Sequence, residues 1–230
     1  VTALVLAAAG LGFLHTLVGP DHYLPFVFLA RSLKWSMKKL WLVVFLCGLG
    51  HVLSSILLGM AGLALGIGVA SLEGIESSRG AVALWLLVAF GFGYMIYGLH
   101  LAILRKRHRH AHLHGEGPHE HEHDHATDHA HLHGDPKKVT PWILFLVFVF
   151  GPCEPLIPLF IYPAARHSWG TVWAVSIAFG VVTVGTMLVL ATLLTLGATR
   201  LNLGRLERWE HALAGFLIGA SGVAIIAFGL

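Results

Sequence analysis

The stretch His15–Pro25, HTLVGPDHYLP, interrupts an apolar run with His15, Asp21 and His22 beside a Gly19-Pro20 pair. An echo occurs at Gly151–Pro158, GPCEPLIP, again inside a long apolar run. Gly19-Pro20 matches Gly151-Pro152, Asp21 matches Cys153, His22 matches Glu154, and a proline closes each segment. Proline removes a backbone donor and clashes with the preceding turn, so each helix should kink or unwind there. Asp21 is then expected as the N-cap of a restarted half-helix. An ionisable residue at membrane depth costs about 2.5–3.5 kcal/mol on insertion scales, so such a residue marks a functional site by default. Asp21 and Glu154 read as the only acidic residues embedded in apolar sequence; the other ten fall in expected loops or near helix ends.

Outward from these breaks the chain is a series of apolar runs. Of its 230 residues 56% are hydrophobic and only 12% charged. Runs of about 18 or more apolar residues are the signature of membrane helices. They are expected over 2–30, 40–68, 81–104, 140–165, 170–197 and 208–230, with 69–79 (Glu73, Glu76, Arg79) as a connection. No segment alternates as a membrane β-barrel strand does. Val1–Gly19 lacks a basic leading region and reads as the first span, not a signal peptide. Cys47 and Cys153 both fall in spans, so no disulfide framework is indicated. The basic residues flank the spans, so the partners expected are a lipid bilayer and not a nucleic acid.

The two breaks divide the chain into 1–104 and 139–230, joined by 105–138. The fold expected is an all-α integral membrane protein with six transmembrane helices, built as two inverted three-helix repeats whose first helices are broken. Three spans per half is an odd number, so the halves enter the membrane in opposite senses. Broken helices at matching places in inverted repeats point to a binding site near the bilayer midplane. Loops after the first, third and fifth spans carry thirteen Lys and Arg residues; the other side carries Arg79 and Arg166. The positive-inside rule then sets both termini outside and residues 105–138 in the cytoplasm.

The polar residues suggest a metal ion. Imidazole suits nickel, cobalt, copper and zinc, and a carboxylate adds charge neutralisation. His15 and His22 are seven apart, two helical turns, and His51 on the second span is a further ligand candidate. Glu154 and Cys153 approach from the mirrored break, and Cys47 is a softer candidate that also suits plain packing. His100, His167 and His211 lie near span ends. The expected site is therefore His15, Asp21, His22, His51, Glu154 and Cys153. Between the halves, eleven histidines alternate with acidic and small residues: His108, His110, His112, His114, His119, His121, His123, His125, His129, His131 and His133. Such composition buries no core and is expected to be disordered without metal, acting as a collecting loop for divalent ions.

At HTLVGPDHYLP followed by LCGLGHVLSS the chain resembles the six-helix nickel/cobalt transporters of the NicO and UreH-like type. The resemblance covers both halves and the histidine loop. It implies transport of Ni²⁺ or Co²⁺, with Zn²⁺ a further candidate, across a bacterial cytoplasmic membrane or an organelle membrane derived from one. It implies no enzymatic activity and no permanently bound cofactor. The larger permeases carry His, four residues, then Asp-His; here five residues separate His15 from Asp21. A cytoplasmic histidine loop fits collection for export and equally receipt and buffering after import; export is slightly favoured. Two other architectures are weighed. A thiol–disulfide reductant carrier would need a cysteine in each break, and the partner of Cys153 is Asp21. A sulfite or organic-anion exporter would use the positive ends of half-helices, but Asp21 and Glu154 occupy those places.

Overall fold

The computed structural model describes residues 1–104, 109–114, 117–122, 136–151, 153, 155–200 and 204–228. Eight α-helices dominate: α1 (Thr2–Val18), α2 (Leu24–Ser32), α3 (Met37–Ala64), α4 (Val69–Leu104), α5 (Pro136–Phe150), α6 (Leu156–Ala165), α7 (Trp169–Thr199) and α8 (Glu210–Phe228). Within the histidine segment, β1 (Arg109–His114) pairs antiparallel with β2 (Gly117–Glu122), setting His110 opposite His121 and His112 opposite His119. α3, α4, α7 and α8 are each long and apolar enough to cross a membrane. α1 and α2 together are long and apolar enough as well, but bend by 85° at the break, the geometry of a broken span or a re-entrant loop, and α5 and α6 are shorter apolar helices. Large side chains such as Leu57, Trp85, Ile96, Val181 and Leu193 are exposed on the outside. A surface of that kind is stable against lipid and not against water. The chain is a helical membrane protein.

The first break forms as the sequence dictates. α1 stops at Val18, a single 3₁₀ turn covers Pro20–His22, and α2 restarts at Leu24 with Pro25 in its first turn. Proline is tolerated there because the first helical N–H groups have no partner inside the helix. Asp21 does not cap α2, contrary to expectation. The N-cap is Tyr23, with no side-chain cap, and the Asp21 carboxylate turns to His22 instead. The ionised carboxylate makes a charge-assisted bond with the imidazole N–H one residue away.

The connection expected over 69–79 is helix, and this is a larger correction. α4 runs unbroken from Val69 to Leu104, and Glu76 within it is fully buried. Asp21 and Glu154 are therefore not the only acidic residues set in the apolar body. Glu76 is tolerated because Arg79, one turn on, lies 2.7 Å from its carboxylate.

α1 packs on α7, and α2 on α7 and α8. α3 lies between α5 and α7; α6 packs on α7, α3 and α4; α4 runs against α8. The α4–α8 crossing is backbone on backbone. A Cβ at Gly91 would collide with the Gly219 backbone, one at Gly98 with Ala212, and one at Gly215 with Met95. Small residues allow such approach, and membrane helices associate largely through it.

Two apolar clusters result. One gathers Phe26, Leu40, Val44, Cys47, Phe148 and Met187; the other gathers Ala8, Val52, Cys153, Ile157, Val175 and Phe179. His22 sits edge-on to Phe148 of the first, and His15 tilts over Phe179 of the second.

α2 and α6 end alike. After α2 the Trp35 amide reaches the Ala30 carbonyl with Lys34 at φ 52°; after α6 the Ser168 amide reaches Pro163 with His167 at φ 54°. Both are Schellman caps that place a non-glycine residue in the left-handed region.

Candidate metal centre

His15 lies in the last turn of α1, His22 in the 3₁₀ turn, His51 midway along α3, and Cys153 between α5 and α6. The three imidazoles form a tight group. The ring of His22 is 4.6 Å from that of His15 and 5.1 Å from that of His51, edge to face in both cases. His15 and His51 are nearly parallel, with ring centroids 6.1 Å apart. Cys153 Sγ is 3.1 Å from His51 Nε2. Donor atoms of His15, His51 and Cys153 all fall within 4.8 Å of one another.

The hydrogen bonds decide which nitrogens face this space. His22 Nδ1 is 3.1 Å from both the Gly19 carbonyl and Asp21 Oδ1, so it carries the proton and donates. His51 Nδ1 donates to the Phe148 carbonyl at 3.3 Å. In both rings Nε2 then carries the lone pair. For His51 that lone pair accepts from the Cys153 thiol. The Nε2 atoms of His22 and of His15 are buried with no partner among the described residues. A buried polar nitrogen without a partner costs free energy unless something supplies the missing bond.

Metal sites have this construction. A ligating histidine donates its other ring nitrogen to a carboxylate or carbonyl, which fixes its tautomer and orientation. Zinc-type bonds of about 2.0–2.3 Å put tetrahedral N and S donors about 3.5 Å apart. The His51–Cys153 separation is close to that edge, so an ion replacing the thiol proton would need little movement. Glycine in each break leaves room for an imidazole: a Cβ on Gly19 would lie 2.6 Å from His22 Nδ1, and one on Gly151 2.9 Å from His51 Nδ1.

Of the residues expected from sequence, His15, His22, His51 and Cys153 come together. Asp21 stands behind His22, its side chain about a third exposed. Glu154, His108, His123, His125, His129, His131 and His133 lie outside the described residues. Cys47 is buried in the other apolar cluster, among Phe26 and Leu40. Both cysteines are free. His211 belongs to a separate polar cluster, with its Nδ1 2.7 Å from Tyr94 Oη, which in turn lies 3.2 Å from Ser32 Oγ.

The sequence reading missed Glu76 and Arg79. Glu76 Oε2 accepts from the Cys153 amide at 3.4 Å. Arg79 donates to Ser54 Oγ at 2.9 Å and to the Val149 carbonyl at 2.8 Å. Arg79 is helical and largely buried, and Glu76 neutralises it. Opposite charges one helical turn apart were the available signal. It was hidden in SLEGIESSRG, whose serines and glycines read as a turn.

No protein-family model, curated protein or solved structure matches the chain.

Proposed function

We propose that the protein is a membrane transporter of divalent transition-metal ions, with Ni²⁺ and Co²⁺ as its cargo. The observation that carries this reading is the pair of unpartnered buried nitrogens, His15 Nε2 and His22 Nε2, beside the His51–Cys153 contact. Three imidazoles and a thiol in one pocket form a donor set for a late first-row ion. Metal binding requires neutral imidazole and thiolate, so affinity falls on the more acidic side of the membrane and a proton gradient can drive exchange.

The six-span, inverted-repeat architecture is part of the proposal, with α5 and α6 as the second broken helix. Exchanging the halves maps the α1–α7 packing onto α5–α3, α2–α7 onto α6–α3 and α2–α8 onto α6–α4, while α3–α7 and α4–α8 map onto themselves. The matching Schellman caps after α2 and α6 agree with it. Of the two basic residues counted on the outer side, Arg79 lies inside α4 beside Glu76, which leaves Arg166 there. Both termini are then outside and the histidine segment lies in the cytoplasm, where it collects ions for export. The nickel/cobalt transporter resemblance fits the same assignment.

The test is Ni²⁺ and Co²⁺ flux in oriented proteoliposomes for wild type, His22→Ala, Asp21→Asn and a deletion of 108–133. The expected result is abolished flux in His22→Ala, reduced flux in Asp21→Asn, and a shifted concentration dependence in the deletion. Unchanged flux in both point variants would move the permeation site elsewhere. No metal flux from folded wild-type protein would refute the transport reading.

A further inference from the structure

Glu76 is fully buried, and each of its carboxylate oxygens has a partner. Oε1 takes the Arg79 guanidinium at 2.7 Å. Oε2 takes the backbone amide of Cys153 at 3.4 Å. That amide lies in the gap between α5 and α6. The remaining bonds of Arg79 reach both sides of the His51–Cys153 contact. One goes to the Val149 carbonyl in the last turn of α5, just before the gap. The other goes to Ser54 Oγ, which itself donates to the His51 carbonyl at 2.8 Å. Two side chains of α4 thus touch the helix that carries the imidazole, the helix that leads into the gap, and the amide of the residue that carries the sulfur.

An ion pair that only tied helices together would not need its second carboxylate oxygen on the amide of a candidate ligand. We propose that Glu76 and Arg79 are positioning residues, which hold the Cys153 sulfur against His51 and so determine whether the bound ion gains a thiolate ligand. This inference rests on the metal reading above. It assigns α4, which supplies no ligand among the described residues, control over the sulfur share of the coordination sphere. Outer partners of this kind change metal affinity by about 10–100-fold when removed.

Co²⁺ is the probe, because a cobalt–thiolate bond has a near-ultraviolet charge-transfer band that imidazole ligation lacks. The full-length protein in detergent would be titrated with Co²⁺ alone, comparing wild type with Cys153→Ser, Glu76→Gln, Glu76→Asp and Arg79→Lys. Expected are a strong band in wild type and none in Cys153→Ser. Glu76→Gln should still bind Co²⁺, about 10-fold more weakly, with most of the band lost. Glu76→Asp should recover part of it. Arg79→Lys keeps the charge and loses the fork; it should also lose band intensity, and it decides the matter if Glu76→Gln does not fold. A full band at unchanged affinity in either folded variant overturns the positioning role and leaves the metal reading standing. Absence of Co²⁺ binding in folded wild type overturns both.

Discussion

The two helix breaks meet across His51, but they are held by different means. At the first, the hydrogen bonds among the described residues are local: His22 Nδ1 bonds to Gly19 and Asp21, and the backbone turn closes from His22 to Gly19. At the second, the Cys153 amide depends on Glu76, 77 positions away, and the end of α5 depends on Arg79 of the same helix. The first break can form from its own residues as α1 and α2 fold. The second has local turns too, Gly151 to Phe148 and Leu156 to Cys153, but its Cys153 amide gains the Glu76 carboxylate only when α4 has docked. A local tie limits the damage of a substitution to the site, whereas a distant tie spreads it to helix packing.

The contrast can be broken most severely at Glu76. Glu76→Ala leaves Arg79 charged and largely buried without its counter-ion, and should cost about 3 kcal/mol in global stability. Denaturant titration in detergent would measure this, and a loss below about 1 kcal/mol would mean that α4 does not hold the second break. His51→Ala comes next, because it removes the ring shared by both breaks. Co²⁺ affinity by calorimetry should fall roughly 100-fold, the upper end of the range for outer partners alone. Asp21→Asn sharpens the comparison: affinity should drop about 10-fold while unfolding moves by less than about 0.5 kcal/mol. A stability loss matching that of Glu76→Ala would erase the distinction between local and distant ties. Lys34→Gly is the smallest change. It relieves a left-handed non-glycine residue and should stabilise by about 1 kcal/mol without altering metal binding. The same gain from His167→Gly would support the equivalence of the two half-helices.

Sequence legibility follows the same division. The first break was readable because glycine and proline act on their own neighbours; the three-residue turn and the restart at Leu24 were not, since Asp21 as N-cap would restart the helix at His22. His15, His22 and His51 were readable because an imidazole in an apolar run has few structural uses. The role of Asp21 was misread, since capping and side-chain pairing compete within a few ångströms and only coordinates show which wins. The start of α4 was misjudged for a different reason. Glycine, serine and charge suggest a turn, but the partners that keep 69–80 helical, Ser54 and Val149 among them, lie on α3 and α5. A buried carboxylate whose counter-ion is also tied to two other helices has no signature in a single stretch of sequence.

The α4–α8 crossing carries a mechanical consequence. Where Gly91, Gly98, Gly215 and Gly219 bring two backbones into contact, no rotamer change can absorb a displacement. Sliding along that seam would drive main chain into main chain, while rotation about the point of contact leaves it intact. The neighbouring helices are coupled to that seam, α3 through Ser54 and α5 through Val149, both held by Arg79 of α4. Spin labels flanking the crossing should keep one distance in every metal and proton condition.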